Sequence, residues 1–542
     1  MIPIFNRLSL NEWMLIIFVY TERSLSFIIS LIISIIPFIP YKKKKVDVNE
    51  EDKIKGLGYD IKGKEKLEHY ISPENEIPLA QRLYESNSLK DMLYAIDPNI
   101  LLETHIVKTQ DDYLLQIHRI PFDSKRQKDT DYKGIVYLQH GLMMCSNIWL
   151  CHSENPTKNN LPLYLNSLGY DVWMGNNRGN RYSNKNLNVE RHSEKFWNFS
   201  LDEFAIYDIP DSLHYILNTT SLEKKNSIFG YDFYNGEVEN RISIVAFSQG
   251  SAQIFASLSL YPDLNSKVIS FVALSPALTP PGLFNKFVDN IVKLQPQLLF
   301  LFFGKKILLP TATTLWPKIL PINLFNLAIK YSTLFLFNWE NKNINKSQTV
   351  SFKNLYSPTS VKCIVHWFQI LKTQNFQMFV SSDDLNENNN SIFEATPFPT
   401  RTNIKVPLLL VYGTNDSLVD IETLKKNLPE KTTFELPISK HEHLDIIWGD
   451  DVYDLVSTKV ADFLNFWRIK SESIAKTNLN INLIEPFNVS PRNLTTSNTI
   501  NNDEVSSSDI NEDEEAMDDD EDDDEVAASS EKTMFREELF NY

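Results

Sequence analysis

The sequence predicts an α/β fold in which helices flank a mostly parallel central sheet. A mainly helical cap is inserted into this fold, an N-terminal membrane anchor precedes it, and a disordered acidic tail follows it. Short apolar strands alternate with helical segments between residues 103 and 467, a pattern typical of parallel strands joined by crossover helices. About 130 residues of mostly helical character interrupt the alternation before the strand at 406–412. Apolar runs at one end of the chain and a polyacidic run at the other indicate the two appendages.

The N-terminal segment, residues 1–45, has the composition of a membrane or lipid-droplet anchor. Residues 13–20 and 24–40 are apolar, Glu22 and Arg23 separate them, and four lysines follow at 42–45. The second run would form a helix of about 25 Å, slightly shorter than a ~30 Å hydrocarbon core. A single span and a hairpin within one monolayer therefore both stay open. Because lysines flank the cytosolic end of membrane segments, we expect the remaining chain to face the cytosol.

The net charge of −17 is concentrated near the C-terminus, where twelve of the fourteen residues at 512–525 are Asp or Glu. Residues 471–542 have too little apolar content to fold and are predicted to be a disordered acidic tail. Three cysteines, Cys145, Cys151 and Cys363, are too few for a disulfide framework and form no metal-binding motif. This cysteine usage fits a reducing compartment.

Between the anchor and the tail, the pattern predicts a linker at 46–79, a core in two parts at 80–278 and 401–470, and a cap at 279–400. Residues 221–239, rich in Lys, Asn, Gly and Tyr, are predicted to be a surface insertion. The predicted strands are 103–108, 113–119, 134–139, 171–175, 242–247, 268–275, 406–412 and 433–436. The predicted core helices are 161–168, 202–217, 421–427 and 451–467, together with one that starts after Ser248.

The stretch around Ser248 has the pattern of a nucleophile elbow. An apolar strand-like run at 242–247 ends at this serine, and a helical run begins directly after it. A tight strand-to-helix turn exposes a serine hydroxyl to a base, and it requires small residues two positions before and after the serine. Those positions are Ala246 and Gly250. The usual residue at the first is glycine, and we expect the extra methyl group of Ala246 to be tolerated.

A serine nucleophile needs a base and a carboxylate that orients the base, and in this architecture they follow later strands in the order Ser, acid, His. Asp416 lies just after the strand at 406–412, and Asp420 is the alternative acid. His443 lies in the loop after the last strand, and His441 is the competing base. The order and the placement of these residues favour a catalytic triad.

The tetrahedral intermediate of acyl transfer also needs two backbone N–H donors for its oxyanion. Gln249, directly after the serine, supplies one of them. The second is expected from the loop after the strand at 134–139, where Gly141 allows the backbone to turn and Leu142 carries the N–H group. We expect His140 in the same loop to be structural rather than catalytic.

Five stretches of the sequence resemble the acid-lipase family of α/β-hydrolases, and the resemblance extends over residues 80–467. The stretches are HGL at 140–142, GYDVWMGNNRGN at 169–180, FWNFS at 196–200, FSQG at 247–250 and HLD at 443–445. Within the family, the apolar N-terminus and the segment HWFQ at 366–369 look most similar to the membrane-anchored sterol esterases of fungal lipid droplets.

The resemblance implies an α/β-hydrolase fold with Ser248, Asp416 and His443 as the catalytic triad. It also implies that Leu142 and Gln249 are the oxyanion donors. The sequence departs from the family pattern in having alanine at position 246 and in the longer approach to the elbow at 221–239.

Together these observations predict a serine esterase that hydrolyses sterol esters through an acyl-enzyme and needs no cofactor. Its expected partners are a neutral lipid, either sterol ester or triacylglycerol, and a membrane or lipid-droplet monolayer, whereas nucleic acid is not expected. The expected location is the lipid droplet, the endoplasmic reticulum membrane or both, with the catalytic domain in the cytosol. A triacylglycerol lipase of the same fold and a catalytically silent lipid-binding scaffold stay open as alternatives, the scaffold supported only by Ala246.

Overall fold

The structure is a computed structural model that describes residues 20–21, 24, 78–226, 241–292, 296–314, 316–345, 347–381 and 395–482. Nearly all of the predicted anchor, the linker and most of the predicted acidic tail therefore lie outside the described residues. Within the described ranges, no helix is both long enough and apolar enough to cross a bilayer.

One mixed sheet forms the centre of the described structure. Its strands are β1 (Glu103–Lys108), β2 (Tyr113–Ile120), β3 (Gly134–Gln139), β4 (Tyr170–Met174), β5 (Lys185–Asn186), β6 (Ile242–Phe247), β7 (Val268–Leu274), β8 (Leu408–Gly413) and β9 (Thr433–Ile438). The strand order is β1-β2-β4-β3-β6-β7-β8-β9, and β5 pairs with β2. Strands β1 and β2 form an antiparallel hairpin, whereas the pairs from β4 through β9 are parallel.

Helices pack on both faces of this sheet and form the cap. They are α1 (Leu79–Glu85), α2 (Leu89–Ile96), α3 (Pro156–Asn159), α4 (Leu161–Ser167), α5 (Leu201–Glu203), α6 (Ile209–Asn226), α7 (Gln249–Leu260), α8 (Pro262–Lys267), α9 (Lys286–Val292), α10 (Pro296–Phe303), α11 (Pro310–Thr314), α12 (Trp316–Ile319), α13 (Ile322–Phe337), α14 (Val361–Thr373), α15 (Thr400–Asn403), α16 (Ile421–Lys426), α17 (Asp445–Trp448) and α18 (Thr458–Asn482). Short 3-10 helices lie at Ser146–Leu150, Lys195–Trp197 and Ser347–Asn354, and π-helical turns at Phe204–Asp208 and Tyr453–Ser457.

The central strands are buried on both faces, which is why they read as continuous apolar runs in the sequence. Every residue of β6 is buried, and alternate side chains enter two different hydrophobic clusters. Val245 and Phe247 pack in the cluster that contains residues of α18, whereas Ile244 and Ala246 pack in the cluster that contains residues of α7. The predicted α/β-hydrolase fold is therefore confirmed.

All eight predicted strands are present, with ends shifted by at most two residues. The last strand continues through Pro437 to Ile438, and proline is tolerated there because β9 lies at the edge of the sheet. The two-residue strand β5 and the helices α1 and α2 were not predicted from the sequence. Helix α2 begins with a capping box in which Ser88 and Asp91 satisfy each other's backbone N–H groups.

Two boundaries were wrong. Residues 221–226 are not part of a surface insertion, because α6 continues to Asn226, and residues 227–240 lie outside the described ranges. The acidic tail does not begin at 471, because α18 continues to Asn482. The sequence contains neither glycine nor proline between Ser471 and Asn482, so nothing in the chain breaks the helix there.

The cap lies between β7 and β8 and, among the described residues, consists of helices α9 to α14 and the 3-10 helix Ser347–Asn354. It enters the fold after the carboxyl end of β7, the edge of a parallel sheet at which ligands bind. Charged and polar contacts join it to the core below. Lys362 of α14 forms an ion pair of 3.1 Å with Glu203, and the backbone N–H of Phe379 donates to Asp202.

Candidate active site

Ser248 occupies a strained turn between β6 and α7. Its φ is 54° and its ψ is −123°, a conformation that non-glycine residues rarely adopt outside functional turns. The turn is fixed by a hydrogen bond of 2.9 Å from the Ser248 N–H to the Leu274 carbonyl. A Cβ atom on Gly250 would lie 2.6 Å from the His140 carbonyl oxygen, so this position requires glycine. Ser248 is partly exposed, as an attacking hydroxyl must be.

Alanine stands two residues before Ser248, and Ser248 adopts its strained turn with this residue present. Ala246 is fully buried and lies in register with Gln139 of β3 and with Ala273 of β7. One of its two neighbours in the sheet is thus itself a small residue. The substitution of the usual glycine does not disturb the geometry of Ser248.

A continuous hydrogen-bonded chain links Ser248, His443 and Asp416. Nε2 of His443 lies 2.8 Å from Oγ of Ser248, and Nδ1 lies 2.7 Å from Oδ2 of Asp416. An ionised carboxylate can only accept hydrogen bonds, so Nδ1 carries the proton and Nε2 accepts from the serine hydroxyl. The second carboxylate oxygen of Asp416 accepts the N–H of Leu418 at 3.0 Å. Both His443 and Asp416 are buried.

The loops that carry the acid and the base are tied to each other and to the end of β7. Asp416 follows β8 and His443 follows β9, as the sequence predicts. The N–H of Asn415 donates to the carbonyl of His441 at 2.9 Å, joining the two loops. The hydroxyl of Ser275, directly after β7, donates to the carbonyl of His443 at 3.0 Å. Ser275 is a supporting residue that the sequence analysis did not single out.

The structure separates the alternative acid and base from the serine. Asp420 caps the N-terminus of α16 by accepting the backbone N–H and the side-chain hydroxyl of Thr423. His441 contacts the carboxylate of Asp451 at 2.9 Å through Nε2. Burial lowers the pKa of His441, but its hydrogen bonds to Asp451 and to the Ser439 carbonyl outweigh burial, and the net pKa is raised above 6.5.

Of the two expected oxyanion donors, Gln249 directly follows the serine and Leu142 lies in a loop that packs against it. Gln249 is the first residue of α7, where backbone N–H groups have no partner within the helix. Gly141, which precedes Leu142, is packed so closely on the elbow that a Cβ there would lie 3.1 Å from Cβ of Ser248. Within the described part of the chain, neither the Leu142 N–H nor the Gln249 N–H donates a hydrogen bond. Both are therefore available to an oxyanion.

His140 supports this loop, as expected. Its Nε2 accepts the backbone N–H of Asn177 at 3.1 Å, and its Nδ1 lies 2.8 Å from the carbonyl oxygen of Gly141. Burial lowers the pKa of His140 to about 4. The imidazole is therefore neutral at physiological pH and holds the loop that carries Leu142 against the loop after β4.

The cap reaches the site through two tryptophans that the sequence analysis gave no role. Trp339 stacks on the imidazole of His443, and Trp367 of α14 hydrogen bonds to the side chain of Gln249. Trp367 belongs to the segment 366–369, which resembles the family. That resemblance was the only indication in the sequence that Trp367 is important. Trp339 lies in no recognised motif, and a contact between such distant positions has no local pattern.

Comparison with known proteins relates this chain to lipases of the alpha/beta hydrolase fold. Residues 94–153 match a family described as a partial alpha/beta-hydrolase lipase region, and residues 134–233 match the alpha/beta hydrolase fold. A "Probable lipase" of Schizosaccharomyces pombe is 42% identical over 359 residues, which cover 66% of this chain and 72% of that protein.

Two human relatives have names that state a substrate. The gastric triacylglycerol lipase of Homo sapiens is 29% identical over 370 residues, which cover 67% of this chain and 87% of that protein. The human lysosomal acid lipase/cholesteryl ester hydrolase is 32% identical over 367 residues, which cover 64% of this chain and 84% of that protein.

Proposed function

This chain belongs to the acid-lipase family of α/β-hydrolases, and we propose that it hydrolyses sterol esters to sterol and fatty acid at a membrane or lipid-droplet surface. It is a carboxylic ester hydrolase. The observation that carries the proposal is the hydrogen-bonded chain from Ser248 through His443 to Asp416, with hydrogen bonds of 2.8 and 2.7 Å.

In the proposed acylation step, Oγ of Ser248 attacks the ester carbonyl carbon while its proton passes to Nε2 of His443. Asp416 stays ionised and stabilises the resulting imidazolium. The carbonyl oxygen becomes an oxyanion that accepts the N–H groups of Leu142 and Gln249. When the intermediate collapses, the bond to the sterol oxygen breaks and Nε2 of His443 returns the proton to that oxygen. Sterol leaves, and the acyl group stays on Ser248.

Deacylation repeats these steps with water as the nucleophile. Nε2 of His443 takes a proton from the water as its oxygen attacks the acyl carbon, and the same two N–H groups bind the second oxyanion. When this intermediate collapses, the bond between the acyl carbon and Oγ of Ser248 breaks, Nε2 returns the proton to Oγ, and the fatty acid leaves. The cycle uses only groups of this chain and water.

The names of the relatives support two substrate classes, because one of them is a triacylglycerol lipase and another a cholesteryl ester hydrolase. We place sterol esters first because the N-terminal apolar segment and the sequence at 366–369 resemble fungal sterol esterases. Triacylglycerol is the second candidate. Hydrolysis of either requires the enzyme to meet a water-insoluble substrate at a surface.

Two features support a lipid surface as the place of action. Residues 1–45 have the composition of an anchor, although nearly all of them lie outside the described ranges. Helix α13 of the cap exposes Leu324, Leu327, Tyr331 and Leu334 to solvent. These positions recur at helical spacing and form an apolar strip along one side of α13. Exposed apolar strips on soluble domains are typical of surfaces that meet other molecules or membranes.

A substrate assay tests the proposed activity. The purified full chain is supplied with emulsified cholesteryl oleate and with trioleoylglycerol in parallel, and released oleate is measured. We expect cholesteryl oleate to be the better substrate and Ser248→Ala to hydrolyse neither. Hydrolysis of trioleoylglycerol alone favours the lipase alternative. No hydrolysis of either, or of a short soluble ester, favours the silent scaffold.

A fractionation experiment tests the proposed location. Deletion of residues 1–45 should release the protein from droplets and membranes while leaving hydrolysis of a short dispersed ester intact. Replacing Lys42, Lys43, Lys44 and Lys45 by Gln should weaken attachment without abolishing it, because each lysine near an anionic surface contributes about 1 kcal/mol. A truncated protein that still sediments with droplets or membranes contradicts the anchor.

A further inference from the structure

An aromatic side chain from the cap covers the imidazole of His443. The rings of Trp339 and His443 are almost parallel, at 5°, and their centroids are 4.9 Å apart. Phe337 stacks on Trp339 in turn, with centroids 4.3 Å apart and an angle of 24°. Phe247, the last residue of β6, lies 5.1 Å from the same imidazole. The proposed base is therefore enclosed by aromatic rings from both the core and the cap.

The backbone after α13 directs Trp339 toward this position. Helix α13 ends at Phe337, and Asn338 adopts the left-handed conformation with φ 60°, which turns the chain. The N–H of Trp339 donates to the carbonyl of Thr333 at 3.4 Å. The hydroxyl of Ser417, next to Asp416, donates to the carbonyl of Phe337 at 2.6 Å. The turn that carries Trp339 is thus attached to the loop that carries the acid.

The loop that carries His443 is also attached to the turn that carries Trp339. The carboxylate of Glu442, which precedes His443, accepts the backbone N–H groups of Glu340 and Asn341 at 2.9 and 2.8 Å. Asn341 in turn donates through its side chain to Thr333 at 3.0 Å. The residues directly following Trp339 and the residue directly preceding His443 are therefore joined by two hydrogen bonds to a charged acceptor, which are stronger than bonds between neutral groups.

Stacking, and not a hydrogen bond of its own, holds the indole ring. Trp339 is only 5% exposed, and Nε1 is a buried donor without a partner among the described residues. An indole N–H usually finds an acceptor when it is buried. The Nε1–H group of Trp339 has no such acceptor, so the position of the ring is determined by the contacts of its two faces with Phe337 and His443.

We propose that Trp339 is a positioning residue for catalysis, which holds the imidazole of His443 in the plane that points Nε2 at Ser248. The inference rests on the proposed role of His443 as the base. During acylation and deacylation the imidazole becomes an imidazolium, and the negative face of an indole ring attracts a cation. The same ring keeps water from the face that it covers.

Four variants test this role with a short soluble ester, for which attachment to a lipid surface is irrelevant. Trp339→Leu removes the aromatic face but keeps an apolar side chain, and Trp339→Phe keeps a smaller aromatic face. Trp467→Leu is the matched control, because Trp467 also packs against aromatic rings and also has an unpartnered Nε1, but lies on α18. Ser248→Ala measures the uncatalysed background.

We expect kcat of Trp339→Leu to fall about three- to thirtyfold, which spans cation–π contacts from exposed to desolvated sites, with KM unchanged. Trp339→Phe should recover most of this loss, and Trp467→Leu should keep the kcat of the wild type even where its melting temperature falls. If Trp339→Leu does not fold, Phe337→Leu replaces it. That variant removes the support of the indole without touching His443, and its kcat should fall about two- to tenfold.

Several results overturn the inference. One is a kcat of Trp339→Leu equal to that of the wild type or of Trp467→Leu. Others are an equal loss of kcat in Trp339→Leu and Trp339→Phe, or a change in Trp339→Leu that is confined to KM. Where Phe337→Leu is used, an unchanged kcat has the same meaning. Equal rates in the wild type and Ser248→Ala overturn the proposed function and this inference with it. Wild-type rates in Trp339→Leu, with Ser248→Ala inactive, overturn the role of Trp339 alone.

Discussion

The indole nitrogen of Trp367 donates a hydrogen bond of 2.7 Å to the side-chain oxygen of Gln249, the residue directly after the serine. The thiol of Cys363, one helical turn earlier on α14, donates to the same oxygen at 3.3 Å. The side chain of Gln249 is thereby fixed by the cap, and its backbone N–H is the proposed oxyanion donor. The cap and the oxyanion site are mechanically connected through one residue.

Trp367→Phe tests this connection. The change keeps a ring at the position but removes the donor, so Gln249 is held less firmly and kcat should fall about three- to tenfold, the worth of one hydrogen bond. KM for a short ester should change little. Trp197→Phe is the matched control, because it removes an indole hydrogen bond of equal length, to the carbonyl of Arg191, away from Gln249. Equal kcat values in the two variants contradict the connection.

The two histidines of the same loop give the second prediction. His443→Ala should lose activity by a factor of about 10⁴ to 10⁶, as the removal of a triad member does. His441→Ala should stay within a fewfold of the wild type, because its imidazole contacts Asp451 and not Ser248. Steady-state hydrolysis of a soluble ester measures both. An inactive His441→Ala that is correctly folded reverses the assignment.

His441 also makes stability depend on pH. Because its pKa is raised in the folded protein, the folded state binds its proton more tightly than the unfolded state does. The stabilisation is complete below about pH 6.5, the unfolded value, and is lost as the pH rises through the folded pKa. The difference in melting temperature between the wild type and His441→Gln should therefore be larger at pH 5.5 than at pH 8.5. A difference that grows with pH contradicts the direction of this shift.

A buried ion pair should contribute strongly to the stability of the loop after β4. Nε of Arg178 contacts Asp208 at 2.7 Å, and the side chains of both residues are almost fully buried. Asp208→Ala leaves the guanidinium without its buried partner and should lower the free energy of unfolding by about 3–5 kcal/mol. Asp111 binds the same guanidinium but is partly exposed, so Asp111→Ala should cost less. Urea denaturation measures both, and an equal cost contradicts the account.

The sequence was sufficient for the residues whose placement follows from local chain signals. Ser248 directly follows an apolar run, and Asp416 and His443 lie in the loops after two later runs. Parallel strands bring the ends of such runs to one edge of the sheet. It was not sufficient for Trp339, Trp367 and Glu442. Their contacts join the cap to loops far away in the chain, and no periodicity or spacing encodes such a pairing.

One helix boundary could be predicted from the local sequence, and another could not because it depends on packing. The tail was predicted to start at 471 from a fall in apolar content, yet α18 continues to Asn482 because a helix that is already packed can extend through polar residues. The capping box at Ser88 is a local signal that could have identified α2.

The most direct test of Ser248 as the nucleophile is to treat the wild-type protein with a fluorophosphonate and locate the adduct by peptide mass spectrometry. We expect one adduct, on Ser248, whose formation is abolished in Ser248→Ala and strongly slowed in His443→Ala but not in His441→Ala. Labelling of a different serine, or no labelling of an enzyme that hydrolyses esters, would contradict the assignment of Ser248 as the nucleophile.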